Sequence, residues 1–500
     1  MHAADLYAPC PVYDAETPPL VQPDWKRLFF VLEVLMTYAS SQRLGAPIES
    51  WLSHVRATLA LGIPLAGAQL AQLAIHTTDV VIVGRLGAES LAALVLAGQF
   101  FFTVFIFGSG FSIAVMPMVA NAYGKGDVRL ARRSIRMGLW VSLAYSVVMW
   151  PLFHYSRDVL LALGQVPQVV ELASSYIRIM WLSLPVALMF AVMRALVSAI
   201  GRAQIVLYIT IATLLLNAAL AYCIVLGHFG FPAFGILGAA WVAVSVNVFA
   251  MIAMGLYLHF NSVTRKYELF VRFWRPDWDA LRDVIKLGLP IGVTVLAEVS
   301  LFTAASLLMG SIGTIELAAH GIALQLASIA FMIPLGLAQA ATVRIGVAHG
   351  RGDFTDVVRA SITVVCMAAL ISVIGGLLFF FFSNELSGMF LDRGRGDAAA
   401  VLDYAAPLVV VAGIFQLVDG MQAVATGLLR GLKDASVPMI LALISYWPIG
   451  FGLAWFMAFP LGMGGLGVWF GFLIGLSSAA VMMGLRFWLR LRHEMRMMSR

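Results

Sequence analysis

AQIVLYITIATLLLNAALAYCIVLGHFGFPAFGILGAAWVAVSVNVFAMIAMGLYLHFNSVT, residues 203–264, contains no Asp, Glu, Lys or Arg. A helix crossing a bilayer core needs about 20 mostly apolar residues, because lipid offers the backbone no hydrogen-bond partner. The stretch is too long for one such helix and long enough for two. It divides at Gly227-His228-Phe229-Gly230-Phe231-Pro232, where glycine and proline mark a tight loop. Working outward, a second charge-free run covers Ser90 to Gly124. A third covers Ala435 to Leu485 and splits near Phe459-Pro460-Leu461-Gly462. Twelve spans result, beginning near Ala57, Ser90, Ser134, Ala173, Ile205, Gly235, Asp283, Leu317, Arg359, Val401, Ala435 and Gly465.

Composition agrees. Hydrophobic residues make up 61% of the 500-residue chain and charged residues 12%, against about 25% charged in soluble domains. Too little charge remains to cover a water-facing surface, which excludes a soluble enzyme, a nucleic-acid binder and a disordered scaffold. The net charge of +6 then belongs to basic loops at one membrane face. Cys10, Cys223 and Cys366 are odd in number and far apart, so they support neither a disulfide framework nor a metal motif.

Lys and Arg set the orientation. With both ends inside, all but Arg85, Arg157, Arg178, Arg393 and Arg395 of the 32 basic residues fall on the inner side. The inner groups run from Lys125 to Arg136, from Arg265 to Lys286, and from Arg486 to Arg500, with smaller sets between. The sequence predicts a multi-pass protein of the inner (cytoplasmic) membrane with both termini cytoplasmic. Residues 1–55 form an N-terminal cytoplasmic tail with an interfacial helix at Leu28–Ala39, and no basic n-region suggests a signal peptide. Residues 56–260 form a first six-span lobe and 261–282 a cytoplasmic linker without an apolar core. Residues 283–490 form a second lobe, and 491–500 a basic C-terminal tail.

The lobes repeat one pattern. At an offset of 226, Leu61-Gly62 matches Leu287-Gly288, Pro64 matches Pro290, Gly84 matches Gly310 and Gly87 matches Gly313. Leu91-Ala92-Ala93 matches Leu317-Ala318-Ala319 and Gln99 matches Gln325. Gly124, Gly126 and Asp127 match Gly350, Gly352 and Asp353, and Arg133 matches Arg359. Six spans per half is an even number, so both halves enter the membrane the same way and the pseudo-twofold axis lies along the membrane normal. The fold class is all-α integral membrane, two six-helix bundles with a path between them.

Few ionisable residues lie deep in spans. Asp79 sits in the first beside His76, Thr77 and Thr78. Glu298 sits about eight residues past Pro290 in the seventh, and Asp419 near Gln416 and Gln422 in the tenth. A carboxylate at bilayer depth costs several kcal/mol unless it is paired, solvated or protonated, so it exchanges protons or collects a cation. The structural alternative is a carboxylate that bonds neighbouring Ser, Thr or Gln and ties helices together. His76 and His320 fit either reading. Arg178, Arg194, Arg344 and Arg430 stand near span ends, where snorkelling accounts for them. Nothing points to catalysis. There is no Walker-type phosphate loop, nucleophile elbow or HExxH, and the Gly-x-Gly-Asp pieces at Gly124 and Gly350 read as turns.

Gly62-Ile63-Pro64, Thr77-Thr78-Asp79 and Gly84-Arg85-Leu86-Gly87-Ala88-Glu89 resemble the opening of multidrug and toxic compound extrusion (MATE) transporters. Ala318-Ala319-His320 and Leu429-Arg430-Gly431-Leu432-Lys433-Asp434 extend the resemblance over roughly residues 56–490. It is greatest to the bacterial NorM-type branch, which carries acids in the first, seventh and tenth spans. The resemblance implies ion coupling at Glu298, Asp419 and Asp79, and a substrate cavity at Asn217, Asp79, Gln416 and Gln422. It implies a monomeric secondary antiporter that exports amphiphilic or cationic compounds by alternating access, with H+ or Na+ as coupling ion, no other cofactor and no nucleic-acid partner. Na+ would sit at Glu298 and Asp419. Ala221 stands where relatives often have a second Asn, and Phe415 where some have a Tyr. That poorer oxygen cage favours protons. Two other readings remain: a lipid-linked oligosaccharide flippase of the same superfamily, which would want arginines at mid-membrane depth, and an integral membrane enzyme acting on lipids.

Overall fold

The computed structural model describes residues 50–230, 232–269, 271, 273–390 and 398–498. The tail at 1–49 with its expected helix at 28–39, and the loop with Arg393 and Arg395, lie outside the described residues.

Among the described residues, eleven helices are long and apolar enough to cross a membrane, and a bent pair supplies a twelfth span. In the first lobe these are α1 (Trp51–Gly84), α2 (Ala88–Gly124), α3 (Val128–His154), α4 (Pro167–Met180) with α5 (Ser183–Ala199), α6 (Ala203–Ile224) and α7 (Gly235–Phe260). The second lobe holds α8 (Trp278–Ile312), α9 (Thr314–Arg351), α10 (Phe354–Phe381), α11 (Ala398–Gly431), α12 (Ser436–Ala458) and α13 (Gly464–Met498). The α4–α5 pair bends by 47°. The architecture is the expected all-α, twelve-span, two-lobe fold.

Several helices start a turn or more before the apolar windows. Their caps explain this. Asp127 accepts the Leu130 N–H at 2.9 Å, Asp277 the Ala280 N–H at 3.2 Å and Asp353 the Asp356 N–H at 3.0 Å. Each side chain satisfies an amide that the first turn leaves unbonded, so the helix begins in the headgroup region, where charge is tolerated. The repeated Gly-x-Gly-Asp pieces are indeed turns. Gly126 and Gly352 take φ of 72° and 74°, a region that favours glycine. α13 continues past position 490 through Met498, with Leu491 buried.

The linker does pack, although its sequence shows no apolar periodicity. Tyr267 and Leu269 are buried. Arg132 Nε donates to Tyr267 O at 2.8 Å, Arg136 Nη1 to Val271 O at 3.4 Å and Trp140 Nε1 to Phe273 O at 2.9 Å. These three donors stand four residues apart on one stripe of α3, so the linker runs along that stripe. Arg133 clasps Asp277, with Nη2 to Oδ1 at 2.8 Å. This guanidinium holds the Asp277 carboxyl below the usual carboxylate range.

The hydrogen bonds that join the lobes cluster at the end bearing the basic loops. Arg344 on α9 is 4% exposed, so snorkelling does not describe it. Its Nη1 donates to His54 O at 2.9 Å and Thr58 Oγ1 at 2.6 Å on α1, and its Nη2 meets His54 Nδ1 at 2.7 Å. Asp356 on α10 stands 3.8 Å away. Asn121 on α2 bonds His349 at 3.2 Å and receives Lys433 Nζ at 2.8 Å. Closer to mid-helix the backbones touch: a Cβ on Gly110 would stand 2.7 Å from Gly288 O and nearer still to the Gly292 backbone. The lobes are sealed at the basic end. On the far half of α1, Gln72, His76 and Thr77 are exposed.

Gly110→Ala should therefore push the lobes apart. On a cysteine-free background, Ala120→Cys, buried at the seal, is expected to react faster with a maleimide once Gly110→Ala is added. It should be unaffected by Gly255→Ala, where a Cβ meets nothing within 4 Å. Equal rates in all three proteins would mean that the backbones do not close there.

Candidate functional site

The singled-out polar residues fall into two clusters, one per lobe. In the first, α1 brings Asp79 against α6, and Asn217 Nδ2 donates to Asp79 Oδ1 at 2.7 Å. Asn217 is buried. Thr77 and Thr78 turn back on their own helix, bonding Leu73 O at 3.0 Å and Ala74 O at 2.8 Å. The polar run at 76–79 thus resolves into one carboxylate with a cross-helix partner, two self-satisfied hydroxyls and an exposed His76. Tyr176 on α4 is buried and within reach of the Asp79 charge.

The second cluster lies inside the second lobe. Asp419, Gln416 and Gln422 share α11 and are all buried. The Glu298 charge, from α8, acts on Asp419. Among the described residues, Asp419 Oδ1, Gln416 Oε1 and Gln422 Oε1 are buried acceptors without a hydrogen-bond partner. Gln422 Nε2 donates to Tyr446 OH at 2.6 Å. Tyr446, fully buried, comes from the π-helical segment Ser445–Phe451 of α12, which contains Pro448. A π-helical turn commonly marks a functional site. Here it sets a hydroxyl beside the Gln422 amide.

Aromatic rings pack beside this cluster. Phe415 meets Phe302 at 6.1 Å and Trp469 at 5.5 Å, and Phe302 meets Phe472 at 6.1 Å, all edge-on. His320 bonds Ser306 Oγ at 3.2 Å and packs on Trp469. Arg430, at the end of α11, is half-buried rather than exposed. Among the described residues, no three His, Cys, Asp or Glu side chains gather as a metal site.

Sequence reasoning missed Tyr446 and Arg344 as partners. A tyrosine in an apolar run carries no signal until the π turn aims it. Arg344 sits where snorkelling is the simpler account.

Two repeat-related helical lobes, each with membrane-spanning helices and buried polar groups, are the architecture of a membrane carrier. The chain belongs to the MatE family, whose sequence pattern matches residues 64–223 and again 290–456. It is 63% identical over 447 residues to "Probable multidrug resistance protein NorM" of Agrobacterium fabrum, covering 89% of this chain and 96% of that relative. It is 57% identical to the protein of the same name in Rhizobium meliloti, over 92% of this chain and 98% of the relative. Two solved structures share the fold. The outward-facing conformation of a multidrug resistance MATE family transporter of the MOP superfamily superposes with a TM-score of 0.81 at 21% identity, over 91% of this chain and 98% of that one. A eukaryotic MATE transporter superposes with a TM-score of 0.80 at 20% identity, over 89% and 99%. The protein is a multi-pass membrane transporter and not an enzyme.

Tyr446→Phe removes an acceptor from Gln422 Nε2 and leaves it Thr426 Oγ1 at 3.2 Å. An unmet buried donor costs about 1–3 kcal/mol, so the melting temperature in detergent should fall by several degrees. An unchanged melting temperature would mean that the 2.6 Å bond contributes nothing.

Proposed function

We propose that this protein is a secondary antiporter of the inner membrane that exports amphiphilic, often cationic compounds in exchange for H+ or Na+. The observation that carries this reading is Asp419, buried among the amide oxygens of Gln416 and Gln422, with Glu298 one turn from Phe302, which packs on Phe415 one turn before Asp419. Such oxygens suit a group that arrives and leaves, either a proton on a carboxylate or a cation among oxygens. The names of the NorM relatives support a multidrug role.

The lobe arrangement fits. Basic loops mark the cytoplasmic face, so the seal around Arg344 lies inside, both termini are cytoplasmic and the polar interior opens outward. In that state a proton or cation reaches Glu298 and Asp419, with Asp79 and Asn217 forming a second polar station in the first lobe. Coupling follows from competition, since a cationic compound and the coupling ion cannot both be neutralised by the same carboxylates. The protein works as a monomer, because each chain contains both lobes and the path between them. Ala221 in the first lobe favours a proton. In the second lobe Gln416 and Gln422 offer enough oxygen for Na+ to compete. The ion is therefore the quantity to measure.

Purified protein in liposomes, given a pH gradient and a sodium gradient separately, should move a cationic dye such as ethidium under one of them. Asp419→Asn and Glu298→Gln should express normally and fall to the protein-free rate. Wild-type rates in both variants would remove these carboxylates from coupling. Dye immobile under either gradient would sink the export reading and favour a flippase.

A further inference from the structure

On the basic face, away from both acidic clusters, a cavity of about 470 Å³ opens between α3 and the linker, lined by Arg132, Arg136, Glu268, Val271 and Arg275. Arg132 and Arg136 come from successive turns of α3, and the other three residues from the linker. The linker wall is not loose. Arg132 and Trp140 hold it through the carbonyls of Tyr267 and Phe273, and the Arg133–Asp277 clasp fixes its far end. The cavity is thus preformed.

Its charge is one-sided. Three guanidiniums face one carboxylate, and Glu268 Oε2 already takes Arg132 Nη2 at 2.8 Å. Arg275 is exposed and makes no hydrogen bond or ion pair among the described residues. Like charges gathered by the fold repel one another, and an anion placed among them relieves that repulsion. Planar arginine forks match the oxygens of a phosphate, each offering paired N–H donors. The placement then selects the carrier of that phosphate. Trp274 and Trp278 border this stretch of linker and are 73% and 72% exposed, beside a half-exposed Val271. Exposed tryptophans at the end of a span favour the headgroup layer of a bilayer.

We propose that this cavity binds the phosphate of an anionic phospholipid of the inner leaflet. Arg136 and Arg275 grip the phosphate, Arg132 adds its charge, and Trp274 and Trp278 lie in the interface around it. The lipid becomes a third component of the joint between α3 and the linker that connects the lobes.

The test uses full-length protein in nanodiscs of phosphatidylcholine with or without phosphatidylglycerol, followed by native mass spectrometry of retained lipid and by thermal unfolding. Phosphatidylglycerol should be retained over phosphatidylcholine and should raise the melting temperature. Removing one charged donor that bonds the phosphate directly weakens binding about tenfold. Arg136→Gln and Arg275→Gln should each show that loss, and Arg136→Lys should recover part of it. Arg265→Gln, on the same face but outside the cavity, should retain lipid as the wild type does. Arg275 is exposed, so its variant reports on binding even if Arg136→Gln disturbs the linker. Equal retention in wild type and Arg275→Gln would overturn the proposal. So would an equal loss in Arg265→Gln, which would reduce the effect to general surface charge. If inorganic phosphate added to phosphatidylcholine nanodiscs reproduces the thermal shift, the cavity takes free phosphate and the lipid assignment falls.

Discussion

Arg344 is the cation on which the arrangement of the lobes turns. It is buried where a lone charge would cost several kcal/mol, and it is tolerated because α1 supplies a carbonyl, a hydroxyl and an imidazole nitrogen within 2.9 Å. Those partners belong to the other lobe. Separation there strips the guanidinium of most of its bonds, and water must then replace them. A seal of this kind is strong while closed and replaceable once wetted. Reversing a population from 1:99 to 99:1 takes only about 5.5 kcal/mol, roughly the cost of breaking one buried charged contact. On the antiport reading, the closed end is within reach of the energy that binding between the lobes would supply.

The duplication copied the scaffold and left the chemistry single. The family pattern starts at residues 64 and 290, the two prolines matched at the 226-residue offset. The glycine turns before α3 and α10 and their aspartate caps are equivalent in conformation and role. The acids within the matched stretch have no such counterparts: Asp79 corresponds to Ala305 and Glu298 to Gln72. Packing of spans constrains both halves alike, whereas a carboxylate in lipid is costly wherever it adds nothing. Each lobe therefore keeps only its own.

That asymmetry also explains what was legible. The spans could be read because charge is excluded from lipid. The three acids stood out for the same reason, each being an exception to a rule with a large penalty. The two-cluster grouping was not legible, since Gln416 and Gln422 lie near Asp419 in sequence and nothing local says that they share its lobe interior rather than the path between lobes. Tyr446 depends on a π-helical turn, and hydropathy does not register helix type. The linker's docking depends on an α3 stripe some 130 residues away, and Arg344 on partners in α1. Each miss is a contact between distant parts of the chain involving residues whose local character pointed elsewhere.

The two acidic stations differ in a way that bears on exchange. Asp79 has a donor already in place, and the Asn217 amide both stabilises its charge and fixes its orientation. Asp419 has an acceptor buried without a donor, next to two more on the same helix. An unmet buried acceptor is unfavourable by about 1–3 kcal/mol, and three within one cluster would be a poor way merely to tie helices together. On the antiport reading, the first lobe offers an oriented carboxylate and the second a set of buried oxygens, and a cationic compound and the coupling ion compete for these carboxylates.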